Sequence, residues 1–268
     1  MATGTFTATQ AADAARVIAT SRLQHKPLAP LPAHVAPQDI AQGYQVQAAL
    51  QEQLRPHLGP LVGWKIGCTS DVMQRYLDIP HPCAGGVYER VVHRSGARLP
   101  AAGFVRVGVE CEIAVRLAAD LIFKGEALSE ADVADAVETY FPAIEIVDDR
   151  YAEWETLGAP TLVADDFFAA GIVLGEPVAA ASLPDLLQVT GRAFVNGQEI
   201  GSGTGADVLG HPHKALAWLA NHLAAQGTSL RAGDIVMTGS LVKTAWLTAG
   251  DEARMTFTGL GEVQVRFD

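Results

Sequence analysis

The spacing of hydrophobic and polar residues changes near residue 60. In "PQDIAQGYQVQAALQEQL", Ile40, Tyr44 and Ala48 recur every four residues beside a second row of Val46, Leu50 and Leu54. This rhythm predicts an amphipathic helix. Helical character runs to about Leu58, and the proline-rich connector "KPLAPLPAHVAP" separates this helix from an earlier helical stretch. From Leu61 onward, short apolar runs alternate with Gly and Pro turns, the pattern of a β-rich domain. The strand candidates are "VGWKIGC", "RVGVECEIAVRL", "AIEIV", "AAGIVLG", "GRAFVNG", "DIVMTGSL" and "EVQVRF". Two helices are expected among them. "SEADVADAVETYF" opens on Ser129 as N-cap with Asp132 three residues on, and "HPHKALAWLANHLAAQG" has Pro212 near its start and Gly227 at its end. The expected organisation is a helical N-terminal region over 1–60 and a β-rich domain over 61–268.

One strand candidate raises a chemical question. In "RVGVECEIAVRL" alternate residues face the same way, so Glu110 and Glu112 share a face with Arg106 and Arg116, opposite Val107, Val109, Cys111, Ile113 and Val115. A solvated polar face would account for this. Glu145 is different, because it stands between Ile144 and Ile146 in "FPAIEIVDDR". A carboxylate among core residues is costly unless it is paired or bound to a metal. Three carboxylates on two strands could converge on one hard divalent cation, whereas Glu145 alone could pair with an arginine. Lys65, between Trp64 and Ile66, also has two readings. It could be a snorkelling lysine at a sheet edge, or a cation that meets a bound carboxylate or donates a proton.

Composition narrows the function classes. The 268 residues are 49% hydrophobic and 18% charged, enough to bury a large core. Thirty acidic against nineteen basic residues give a net charge of −11, which disfavours a nucleic-acid or anionic-membrane surface. Cys68, Cys83 and Cys111 form no CxxC, and the N-terminus shows no apolar signal region. No run reaches membrane-spanning length. A cytoplasmic protein with reduced thiols and no membrane partner is expected. There is no P-loop, no GxGxxG after a strand and no GxSxG.

The ordered blocks "GWKIGCTS", "VECEIAVRL", "PAIEIVDDR", "VADDFFAAGIVLG", "VLGHPHKALAWLAN" and "GDIVMTGSL…AGD…GLGEVQVRF" resemble the 2-keto-4-pentenoate hydratase and 4-oxalocrotonate decarboxylase group of the fumarylacetoacetate hydrolase superfamily. The resemblance runs from about Leu61 to the C-terminus, with a weaker match at "GYQVQ". It implies an α+β fold, a mixed β-roll catalytic domain preceded by a small helical region. It implies Mg²⁺ or Mn²⁺ held by Glu110, Glu112 and Glu145, with Lys65 and Asp165 as catalytic candidates. It also implies a small 2-oxoacid substrate and a homo-oligomeric assembly. The expected activity is hydration of a 2-hydroxy-2,4-dienoate in aromatic-compound breakdown. Decarboxylation, C–C hydrolysis with the same metal, and non-catalytic 2-oxoacid binding are the alternatives. His211 matches a recurrent histidine before a helix and reads more readily as a cap than as a catalyst.

Three departures bear on the substrate-pocket candidates Cys83, Ala84, Ala164, Ser240 and Val242. Cys83 and Ala84 stand where the group carries an acidic and an aromatic residue. Ala164 and Val242 each replace a hydroxyl, in "ADD" and "GSLV". Such losses predict weaker selection for a polar substrate tail and tolerance of an apolar one.

Overall fold

The computed structural model describes residues 6–268. The first half contains α1 (Ala8–Gln24), α2 (Ile40–Leu58), β1 (Leu61–Gly67), α3 (Asp71–Tyr76), β2 (Cys83–Tyr88), β3 (Val92–Arg94), β4 (Ala97–Leu99), β5 (Val107–Leu117), α4 (Glu130–Asp135) and β6 (Val137–Asp148). The second half contains α5 (Gly158–Ala164), β7 (Ala169–Leu174), β8 (Val178–Ala179), β9 (Thr190–Val195), β10 (Gln198–Thr204), α6 (Pro212–Ala225), β11 (Ile235–Ser240), β12 (Ala245–Trp246), β13 (Glu252–Phe257) and β14 (Gly261–Phe267).

The strands form two mixed sheets. The larger runs β2-β1-β11-β5-β6-β7-β3, with β12 added on β5 and β8 on β6. The smaller runs β10-β9-β13-β14-β4. The pairs β1/β11, β3/β7 and β4/β14 are parallel and the remaining pairs antiparallel, so the α+β class with mixed sheets and N-terminal helices holds. The β9–β10 hairpin closes on Asn196–Gly197, both at positive φ (50° and 80°), the conformation a two-residue turn requires.

The alternation of β5 is real, but neither face is solvated. Its polar positions face inward too, and Glu112 is fully buried. The apolar face contributes Val109, Cys111, Ile113 and Val115 to a core shared with Leu216, Leu219 and Leu223 of α6 and Met255, Val263 and Val265 of the smaller sheet. Burying each such side chain contributes roughly 1.5–3 kcal/mol. A second core joins the N-terminal helices to the sheet. Ala11, Ala14, Ala15 and Ile18 of α1 meet Val46, Leu50 and Leu54 of α2, and both pack with Leu162 and Val163 of α5. Thr7 starts α1 with a capping box to Gln10, and Asp39 caps α2.

The helix expected over "SEADVADAVETYF" is much shorter. α4 keeps its Ser129–Asp132 capping box but ends at Asp135, and Val137 already opens β6. Val137, Thr139, Tyr140 and Phe141 are β-branched or aromatic and pair along β5 and β8. "AIEIV" is the middle of this one twelve-residue strand. His211 caps α6, its Nδ1 accepting the His213 N–H at 3.0 Å.

Candidate metal and substrate site

The register of β5 on β6 builds the acidic cluster. Glu110 lies directly opposite Glu145, and Glu112 follows two residues along the same face, opposite Ala143. Each carboxylate offers an oxygen within 4.8 Å of the others. Lys65 comes from β1, whose path to β6 crosses β11 and β5. Three strand spacings in a flat sheet would be roughly 14 Å. Yet Lys65 Nζ stands 2.7 Å from Glu145 Oε1, with both side chains almost completely buried. The sheet curls around this centre, bringing β2 at one end of the order into contact with β7 near the other.

The electrostatics call for a cation. Burial, then the neighbouring Glu145 charge, pushes Glu110 up to about 7. Burial and both other carboxylates push Glu112 well above the usual range. Burial alone would push Lys65 down, but the three carboxylates outweigh it and hold the ammonium charged. One lysine cannot neutralise three carboxylates. Glu112 Oε2 accepts the Gly239 N–H at 2.9 Å, and Glu110 Oε1 accepts the Thr244 hydroxyl. Glu112 Oε1 and Glu145 Oε2 accept no hydrogen bond from any described residue. Buried carboxylate oxygens without donors, converging from three side chains, fit a hard divalent ion with oxygen ligands.

A cavity of about 760 Å³ opens above this floor. Lys65 and Glu110 line it, while Glu112 and Glu145 lie beneath. Ser240 and Val242 also line it. Trp154, Phe167 and Phe168 form an aromatic wall, with ring centroids 5.6 Å apart for the two phenylalanines and 5.7 Å for Trp154 and Phe168. At the rim Arg106 pairs with Asp149 at 3.1 Å and stacks on Trp246 at 4.2 Å, near the exposed Lys243.

Four expected site residues lie elsewhere. Asp165 is fully buried behind the wall, accepting from Arg150 Nε at 3.1 Å and Nη2 at 2.7 Å, with Arg22 of α1 at 3.5 Å. It does not line the cavity, because the turn after α5 points both Asp165 and Asp166 toward the N-terminal helices. Cys83 and Ala164 are buried in the core with α1 and α2. Ala84 gives its backbone to α2, its N–H donating to the Tyr44 hydroxyl at 3.0 Å and its carbonyl accepting from Gln47 at 2.8 Å. The aromatic wall is not evident in the sequence, where "DDFF" simply precedes the strand candidate "AAGIVLG". Only the doubled aromatic beside two aspartates hinted at it.

The family model for the fumarylacetoacetate (FAA) hydrolase C-terminal domain matches residues 87–268. The chain belongs to the fumarylacetoacetate hydrolase family. Among its relatives in this family are a 2-hydroxyhexa-2,4-dienoate hydratase of Comamonas testosteroni, 36% identical over 77% of this chain and 78% of its own. A 2-keto-4-pentenoate hydratase of Burkholderia vietnamiensis is 34% identical over 85% of this chain and 86% of its own. In three dimensions the chain is similar to the family's 4-oxalocrotonate decarboxylase from Pseudomonas putida G7, solved with magnesium and adipate. The TM-score is 0.92 at 26% identity, over 98% of this chain and 99% of the other. The family resemblance read from the ordered sequence blocks is therefore correct.

Proposed function

We propose that the protein is a divalent-metal-dependent hydratase that adds water to a 2-hydroxy-2,4-dienoate, giving a 4-hydroxy-2-oxoacid in aromatic-compound breakdown. The observation that carries this reading is the convergence of Glu110, Glu112 and Glu145 beside Lys65 under an aromatic-walled cavity. The hydratases among its relatives supply the reaction class.

In this reading Glu110, Glu112 and Glu145 hold Mg²⁺ or Mn²⁺. When bound, such an ion supplies Lewis acidity toward the carboxylate and 2-oxygen of a 2-oxoacid. The chain's own groups do the rest. Hydration requires loss of the 2-hydroxyl proton and gain of one at C5, giving the 2-oxo-3-enoate, and then addition of one water, its hydroxyl at C4 and its proton at C3. Lys65 Nζ holds a proton next to the carboxylates and faces the cavity, so it binds the anionic head and relays the proton. Thr244 orients Glu110 through its hydroxyl. The wall of Trp154, Phe167 and Phe168 keeps bulk water from the carbon chain. Asp165 serves as a structural anchor. The protein acts in the cytoplasm as a homo-oligomer, the helical region of 1–60 serving the catalytic domain of 61–268.

A second reading, decarboxylation of a dicarboxylic 2-oxoacid, draws on Arg106 and Lys243 at the rim, where a second carboxylate could dock. One experiment separates the two. With Mg²⁺ or Mn²⁺ supplied, 2-hydroxypenta-2,4-dienoate and a dicarboxylic analogue are compared by kcat/KM, with CO₂ release followed in parallel. Hydration without CO₂, favouring the monocarboxylic substrate, is expected. Preference for the dicarboxylate with CO₂ release moves the assignment to the decarboxylase. Metal-dependent binding of pyruvate without turnover of either compound reduces the protein to a binder.

A further inference from the structure

The aromatic wall stands on an unusual piece of backbone. Asp166, Phe167 and Phe168 are three successive residues in the left-handed region, at φ 50°, 52° and 66°. None is glycine, so the surroundings must hold the turn in place. They do so through the Asp166 side chain. Its Oδ1 accepts the Gly86 N–H at 3.0 Å and the Gln51 amide at 3.1 Å. Its Oδ2 accepts Arg22 Nη1 at 3.1 Å and the Tyr88 hydroxyl at 3.3 Å. Arg22 also donates from Nη2 to the Ala169 carbonyl at 2.8 Å, tying down the end of the turn. Both charged side chains are buried, Asp166 completely.

Two glycines let the turn come this close. A Cβ at Gly85 would sit 2.5 Å from the Asp166 carbonyl oxygen, and one at Gly67 would sit 2.9 Å from Phe167 Cδ1. The result is a phenylalanine ring whose centroid lies 5.3 Å from Lys65 Nζ and which walls the cavity beside the group that meets the anionic head. Arg22 and Asp166 do not line that cavity. They act on it from α1 and from behind the turn.

We infer that Phe167 is a specificity-determining residue that selects for an apolar chain behind the 2-oxoacid head, and that Arg22 and Asp166 are positioning residues that hold its ring over Lys65. This rests on the site binding 2-oxoacids, as proposed above. The N-terminal helices thereby set which tail is accepted, through an ion pair that spans 144 positions of sequence. The neighbouring Phe168 extends the same surface toward Trp154.

The test reads binding and needs no turnover. Mn²⁺-loaded wild type and variants are titrated calorimetrically with pyruvate and with 2-oxohexanoate, and the ratio of the two affinities is compared. The wild type favours 2-oxohexanoate. Phe167→Gly removes the ring while tolerating the left-handed backbone, and lowers the ratio by about tenfold with little change for pyruvate. If that variant does not fold, Phe167→Asn replaces it, since asparagine also accepts positive φ. Asp166→Asn and Arg22→Met lower the ratio in the same direction, although neither residue touches the cavity. A wild-type ratio in the Phe167 variant overturns the specificity role. A wild-type ratio in both Asp166→Asn and Arg22→Met, with only the melting temperature lowered, overturns the positioning role. Equal affinities in the wild type overturn this inference alone, whereas a wild type that binds neither acid sinks the proposed function along with it.

Discussion

Replacing Asp165 by Asn should cost stability and leave catalysis nearly intact. The fully buried carboxylate makes two short hydrogen bonds to Arg150, itself 2% exposed, and faces Arg22 at 3.5 Å. Removing one partner of a buried ion pair costs roughly 3–5 kcal/mol. The cluster argues for the lower end. Arg22 and Arg150 stand among Asp148, Asp165 and Asp166, so Asp165→Asn leaves two cations facing two anions, and Arg150 keeps Asp148 at 3.6 Å. About 3 kcal/mol is expected, which in a chain of this size lowers Tm by about 5 °C. Arg150→Met is worse, because three carboxylates then share Arg22 alone, and about 5 kcal/mol is expected. Calorimetric melting of both variants, with kcat for 2-hydroxypenta-2,4-dienoate measured well below Tm, makes the comparison. A kcat loss of about a hundredfold or more in Asp165→Asn at unchanged Tm would return Asp165 to the catalytic machinery and refute the anchor argument.

Three further outcomes are expected. Glu112→Gln should weaken Mn²⁺ binding by more than about tenfold in a calorimetric titration, since ligand charge sets affinity for hard cations. Without metal it should melt no lower than wild type, because burial and the neighbouring carboxylates already disfavour the ionised form of Glu112; wild-type affinity would sink the triad. His213 and His222 are each pushed down to about 4 by burial, with His211 and His81 adding to it. An unfolded histidine takes up its proton near 6.5. The unfolded chain therefore binds more protons between about pH 6.5 and 4, and stability falls as pH drops through that window. His222→Gln should make the fall in Tm between pH 7 and pH 5 shallower, and an unchanged slope would exclude this linkage. Light scattering at micromolar concentration should return a multiple of the 28.3 kDa chain mass, and a monomer would contradict the proposed assembly.

The sequence was most legible where misplacing a residue carries a large free-energy cost. Glu145 between two isoleucines demanded a partner, and the period-two pattern of β5 put Glu110 and Glu112 on one face. It was less legible where an element's identity depends on its neighbours. "VETYF" continues a helical rhythm on paper, but β5 and β8 flank it and make it strand. It was least legible where side is the issue. Ala164 and Asp165 lie within three residues of the cavity-lining Phe167, yet they face the N-terminal helices, as do Cys83 and Ala84. Periodicity cannot say which of two covered faces carries chemistry when both are buried. The Arg22–Asp166 pair is the extreme case, because arginine on an alanine-rich helix has no local signature of a partner 144 positions away. Its effect reaches the site through backbone geometry, three left-handed residues that no propensity would assign to "DFF". Residues that shape a site without touching it therefore become visible only once the fold has placed them, whereas Glu145 announced itself by being costly to bury.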